Sequence, residues 1–149
     1  MTVTRRAIAL AAALAAAAAL LGTTACGARP VSPADCRPTT PVLQGSLLVV
    51  AADPPESTIR AVLPGAAPAT AGRPYAVRWL VDARKASGEL RFQAAREGSG
   101  EVYRQQFASS AASGQLAEFQ AWLVFPATGC WDADVFTGTA LGSLTFRVA

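Results

Sequence analysis

Downstream of residue 43, apolar and polar side chains alternate with a period of two, the repeat of an extended strand with one face buried. The clearest stretch is residues 75–82, where Tyr75, Val77, Trp79 and Val81 fall on one face and Ala76, Arg78, Leu80 and Asp82 on the other. After a turn-rich segment at 83–88, Leu90, Phe92 and Ala94 alternate with Glu89, Arg91 and Gln93. Glu97-Gly98-Ser99-Gly100 carries the glycines that a tight hairpin requires, and residues 101–107 continue as a strand. A polar, small-residue loop is expected at 108–115, with at most a helical turn at 115–119. Phe119, Ala121, Leu123 and Phe125 then form the next apolar face, followed by Trp131, Ala133 and Val135, and finally by Leu144, Phe146 and Val148. Residues 46–51 are a continuous apolar run suited to a buried strand, and 57–63 predict another. Seven or eight short strands with turn signals between them predict an all-β fold, an antiparallel immunoglobulin-like β-sandwich following an N-terminal signal helix.

The other apolar pattern lies at the N-terminus. Arg5 and Arg6 precede residues 7–21, a run of Ala, Ile and Leu alone. As a helix this run measures roughly 22 Å, short of a bilayer core of about 30 Å, so it suits a signal peptide better than a permanent span. It leads into Gly22-Thr23-Thr24-Ala25-Cys26-Gly27, which resembles the lipobox of bacterial lipoproteins. The resemblance implies cleavage before Cys26 and a diacylglycerol on its thiol. Thr23 stands where that motif usually has Leu, so other readings stay open: cleavage after Ala25 or Ala28 with secretion, or an uncleaved anchor. The Arg5-Arg6 pair also allows export by a twin-Arg route. The expected division is a signal peptide at 1–25, a lipidated tether at 26–42 and the sandwich at 43–149. Residues 27–42 contain four prolines and few apolar side chains, as an extended tether would.

Cysteine usage fits export. Three cysteines leave one odd, and if Cys26 carries lipid then Cys36 and Cys130 remain as a pair. Such a disulfide would close a loop of about 95 residues, worth roughly 4–5 kcal/mol by chain entropy, less any native strain. Two free thiols are the alternative. A single distant pair without histidine is no zinc site.

Composition narrows the chemistry. The chain of 149 residues has room for one domain. It carries 13 Lys+Arg against 10 Asp+Glu, but removal of Arg5 and Arg6 with the leader leaves eleven against ten. That balance has no nucleic-acid footprint. Histidine is absent, which removes Ser-His-Asp and Cys-His catalysis and the commonest metal ligand. No nucleophile elbow, S-x-x-K motif, P-loop or dinucleotide fingerprint occurs. No cofactor or metal is expected, and no catalytic residue is assigned.

Phe125-Pro126-Ala127-Thr128-Gly129-Cys130-Trp131 followed by Ser143-Leu144-Thr145-Phe146-Arg147-Val148 resembles the C-terminal hairpin of uncharacterised bacterial exported proteins and lipoproteins of immunoglobulin-like fold. The resemblance covers roughly residues 75–149; Asp132 stands where a common member has Glu. It implies a fold and an extracytoplasmic location, and no activity.

Among candidate contact residues Trp122 stands out, because it has the opposite parity to Phe119, Ala121, Leu123 and Phe125. If those face the core, Trp122 faces out, as a sugar-stacking or protein-contact aromatic would; the alternatives are a strand covered on both sides or a register shifted by one residue. Asp132 and Asp134, with Asp53 or Asp82, are a possible Ca²⁺ set without a loop motif to hold it. Glu89, Glu97 and Glu101 flank a hairpin and could supply paired carboxylates for glycan chemistry. The leading expectation is a non-catalytic binding or accessory module of the cell envelope, attached to membrane lipid through Cys26 and meeting an envelope protein or polymer. A small-ligand carrier and a carboxylate-dependent glycan enzyme are the alternatives.

Overall fold

The computed structural model describes Ser32, residues 34–54 and residues 57–149. The leader, its signal helix and Cys26 lie outside these residues. The described chain is all-β: β1 (Val42–Gln44), β2 (Leu47–Ala51), β3 (Ile59–Leu63), β4 (Tyr75–Asp82), β5 (Leu90–Arg96), β6 (Val102–Phe107), β7 (Ser109–Ser113), β8 (Leu116–Leu123), β9 (Gly129–Thr137) and β10 (Ala140–Val148).

Every strand pairs antiparallel with its neighbours. One sheet has the order β1-β2-β3-β4-β8-β7 and the other β10-β9-β5-β6. With β3 as the first strand, these are the A-B-E-D and G-F-C-C′ sheets of an immunoglobulin-like sandwich, and β1–β2 is a hairpin added to the first edge. The described residues therefore hold ten strands, above the seven or eight that alternation predicts. The excess comes from β1 and β7. β7 occupies the segment read as a loop, because Ser and Ala carry little hydrophobic signal and the strand is specified by pairing with β8. The helical turn expected at 115–119 is instead the start of β8.

The core lies between the sheets. Trp79 on β4 and Phe119 on β8 face Phe92 on β5 and Trp131 and Val135 on β9, all buried. Phe125, just past β8, is the centre of the aromatic packing. Its ring centroid lies 5.5 Å from Phe146, 5.6 Å from both Tyr103 and Trp131, and 6.2 Å from Phe92. These are separations at which aromatic pairs add to simple burial. The turn before β9 works as its residues suggest. Gly129 takes φ 140°, and the Trp131 indole donates to the Ala127 carbonyl at 3.0 Å. Glycine is also required at 142, where a Cβ would meet Ala52 Cβ at 2.5 Å, because the chain leading to β3 closes directly over β10.

Cys36 and Cys130 form a disulfide with their Cα atoms 5.2 Å apart, fastening the segment before β1 to the start of β9. Thr39 strengthens the attachment: its N–H donates to the Thr145 carbonyl at 3.0 Å, and its hydroxyl accepts from the Thr145 N–H at 2.8 Å. The far part of the expected tether is thus laid along β10, and the domain boundary expected at residue 43 falls just inside β1.

Candidate binding surface

Trp122 lies on the outer face of the six-stranded sheet, between the inward-facing Ala121 and Leu123, and is 62% exposed. The β4–β8 register sets Ala76 opposite Trp122 and Arg78 opposite Gln120. Val62, Pro64, Ala76, Arg78, Gln120 and Trp122 line a shallow groove of ≈ 280 Å³. Its floor is small and aliphatic, and its walls carry one indole, one guanidinium and one amide. A flat aromatic face with hydrogen-bonding groups one residue row away suits a sugar ring or the edge of a peptide. Among the described residues the ion pairs are Arg84–Asp82 and Arg96–Glu101, so Arg78 is not engaged in one.

The acidic candidates divide. Asp132 and Asp134 are exposed on the outer face of β9, and each accepts a hydroxyl hydrogen bond of 2.7 Å from its cross-strand partner, Thr145 and Ser143 respectively. A backbone bridge between Asp53 and Ser143 brings Asp53 to the same shallow depression. Asp82 is on the other sheet, held by Arg84, whose hydrogen bonds lower its pKa. Among the described residues no group of three or more His, Cys, Asp or Glu side chains is placed to hold a metal ion.

The three glutamates do not converge. Glu89 precedes β5 and Glu97 follows it, at opposite ends of a strand roughly 25 Å long by its rise per residue. Glu101 bonds Arg96 at 3.2 Å. Loss of solvation pushes the Glu97 carboxyl up, and the charge of Asp132 and a hydrogen bond to it add to the effect.

Two surfaces escaped the sequence reading. The first is an apolar cleft of ≈ 160 Å³ between β2–β3 and β10, lined by Pro38, Pro41, Val50, Leu63, Tyr75 and Phe146 among others. Burial raises the pKa of Tyr75, whose hydroxyl lies 3.5 Å from the Ala67 carbonyl oxygen. The cleft is built by segments more than 100 residues apart, so no local pattern announces it. The second is the β1–β2 hairpin, where Val42, Leu43 and Leu47 are exposed. The apolar run at 46–51 was its signal, and buriedness was the wrong inference for the hairpin end of that run.

Compared with known proteins, the chain matches no described family, no curated sequence and no solved structure.

Proposed function

We propose that the chain is a non-catalytic, lipid-anchored module on the extracytoplasmic face of the cell membrane, where it binds a protein or polymer of the envelope. The observation that carries the binding reading is Trp122, a large aromatic left 62% exposed beside Arg78 and Gln120 in a groove on an otherwise regular sheet face. An indole in water forgoes the burial that would stabilise it, and such residues are the usual anchors of interfaces. The anchoring reading rests on the Cys26 motif and on the pairing of the other two cysteines with one another.

Photo-cross-linking in intact cells from a residue beside the groove tests the binding reading. The wild-type chain is expected to recover a specific partner, and Trp122→Ala to lose it. Recovery of the same species by both chains would remove Trp122 from the contact, and no specific species with either would count against the module altogether.

The cleft favours a second reading, a small-ligand carrier, since an open, largely apolar cleft of ≈ 160 Å³ has room for a group of about the size of a benzene ring. Native mass spectrometry of protein from its own host is expected to show a co-purifying mass under that reading. A bare polypeptide mass counts against it.

A further inference from the structure

We propose that the β1–β2 hairpin rests in the lipid surface and sets the domain edge-on to the membrane, with the Trp122 groove held above it. The proposal rests on the lipid-anchored reading. It begins from the unequal sheets: β3 packs over β10, and Val50 of β2 still reaches the core, so β1 and the hairpin end of β2 overhang the four-stranded sheet. Val42 and Leu47 point to the outer face of the overhang and Leu43 to the inner one, and all three are exposed, at 61%, 42% and 68%. Apolar side chains on both faces of one strand do not suit a flat protein partner, which would cover a single face. They suit immersion in an apolar medium.

Charge and connectivity select the lipid surface. No charged residue occurs from Pro38 to Ala52, and the turn at the tip is Gly45-Ser46. Partitioning such a segment to interfacial depth desolvates no ion. β1 has three residues and Pro41 precedes it, so it offers little backbone for edge-to-edge pairing with another strand. The chain enters the described fold on the same side. Cys36 is fastened beside β10, Thr39 runs along β10, and β10 and β1 are the edges of the two sheets on that side. From Cys26 to Cys36 the chain spans at most about 35 Å when fully extended, so a lipid on Cys26 confines this edge to within about that distance of the bilayer. Trp122 is three strands away from β2, roughly 15 Å at the usual strand spacing, on a face turned sideways and open to a partner.

Tryptophan quenching separates the two surfaces. Trp79 and Trp131 are fully buried, which leaves Trp122 as the exposed native indole. The full chain, processed in its host and reconstituted into vesicles of phosphatidylcholine and phosphatidylglycerol with brominated acyl chains, is compared with Leu43→Trp in a Trp122→Phe background. The indole at position 43 is expected to lose emission roughly two-fold or more, as an interfacially immersed side chain would, and Trp122 in the wild type to lose little. The exposure of position 43 makes a folding failure there unexpected, and far-UV circular dichroism of the same sample checks it. Intact mass shows whether Cys26 carries lipid. A lipidated protein with position 43 unquenched, or with Trp122 quenched instead, overturns the hairpin proposal and leaves the anchor standing. An unlipidated protein that still floats with the vesicles and is quenched at 43 supports the hairpin and removes the anchor. An unlipidated protein that fails to float overturns both.

Discussion

β10 and β1 are the edges of the two sheets on one side of the sandwich, and they are opposites. β10 has nine residues with buried side chains at every second position, where Ala140, Leu144, Phe146 and Val148 face the other sheet. Its outward Ser143 and Thr145 hydroxyls bond Asp134 and Asp132. β1 has three residues, all exposed and two of them aliphatic. The hydrophobicity is similar; the difference is the presence of a second sheet opposite. Where a facing sheet exists, apolar side chains become core and hold the fold. Where the six-stranded sheet overhangs, the same residue types become surface, at little cost in folding and available for contact.

If that contrast is right, changes around β9 and β10 should be costly and changes on β1 nearly free. The largest effect expected is removal of the disulfide by Cys36→Ser with Cys130→Ser. A separation of 94 residues corresponds to about 4–5 kcal/mol by chain entropy, measured as a fall in the denaturation midpoint. A loss under about 1 kcal/mol would mean that Thr39 and its neighbours hold the segment without it. Next comes Phe125→Ala, which leaves a cavity among Phe92, Tyr103, Trp131 and Phe146 and should cost about 3–5 kcal/mol in urea unfolding. Gly142→Val tests the close approach over β10: a Cβ there meets Ala52 and Ser57, so a loss of about 1–3 kcal/mol is expected. Full tolerance would show that the segment before β3 moves freely.

The outer face of β9 should respond to pH and by a smaller amount. The Glu97 pKa is raised in the folded protein by desolvation and then by Asp132. The folded state therefore binds this proton more tightly than the unfolded chain, and stability is gained as pH falls through the raised value toward the ordinary one. Glu97→Gln should raise Tm at neutral pH and leave it unchanged near pH ~3, where both states are protonated. A lower Tm at neutral pH would sink this account of the pair. The smallest effect is Leu43→Ser, expected to change stability by no more than about 0.5 kcal/mol because nothing covers the side chain. A larger loss would place Leu43 in the core and end the contrast between the edges.

Most of the sandwich was legible because period two is a direct consequence of one-sided burial. In β4, Val77, Trp79 and Val81 are buried as their parity requires, and Trp122 is exposed by the same rule applied to β8. β7 was not legible, since its Ser and Ala residues carry no alternation and its existence depends on the edge of β8. The hairpin was half legible: the run from Leu47 to Val50 announced a strand, and Val49 and Val50 are indeed buried. Its exposed end follows from the sheets having six and four strands, a global count that no local window contains.

By itself, then, the sequence determined the all-β class, the buried faces of β4, β5, β8, β9 and β10, the glycine turn at 129 and, given a lipid on Cys26, the choice of Cys36 and Cys130 as partners for one another. These follow from local sterics, from period-two burial and from counting thiols. Tertiary structure alone decided which apolar residues are core and which are surface at β1 and β2. It also decided the cleft lined by Pro38 and Pro41 together with Leu63 and Phe146. Each of these depends on which strands lie opposite or beside one another across the fold, and pairings between distant segments leave no trace in the order of residues along one of them.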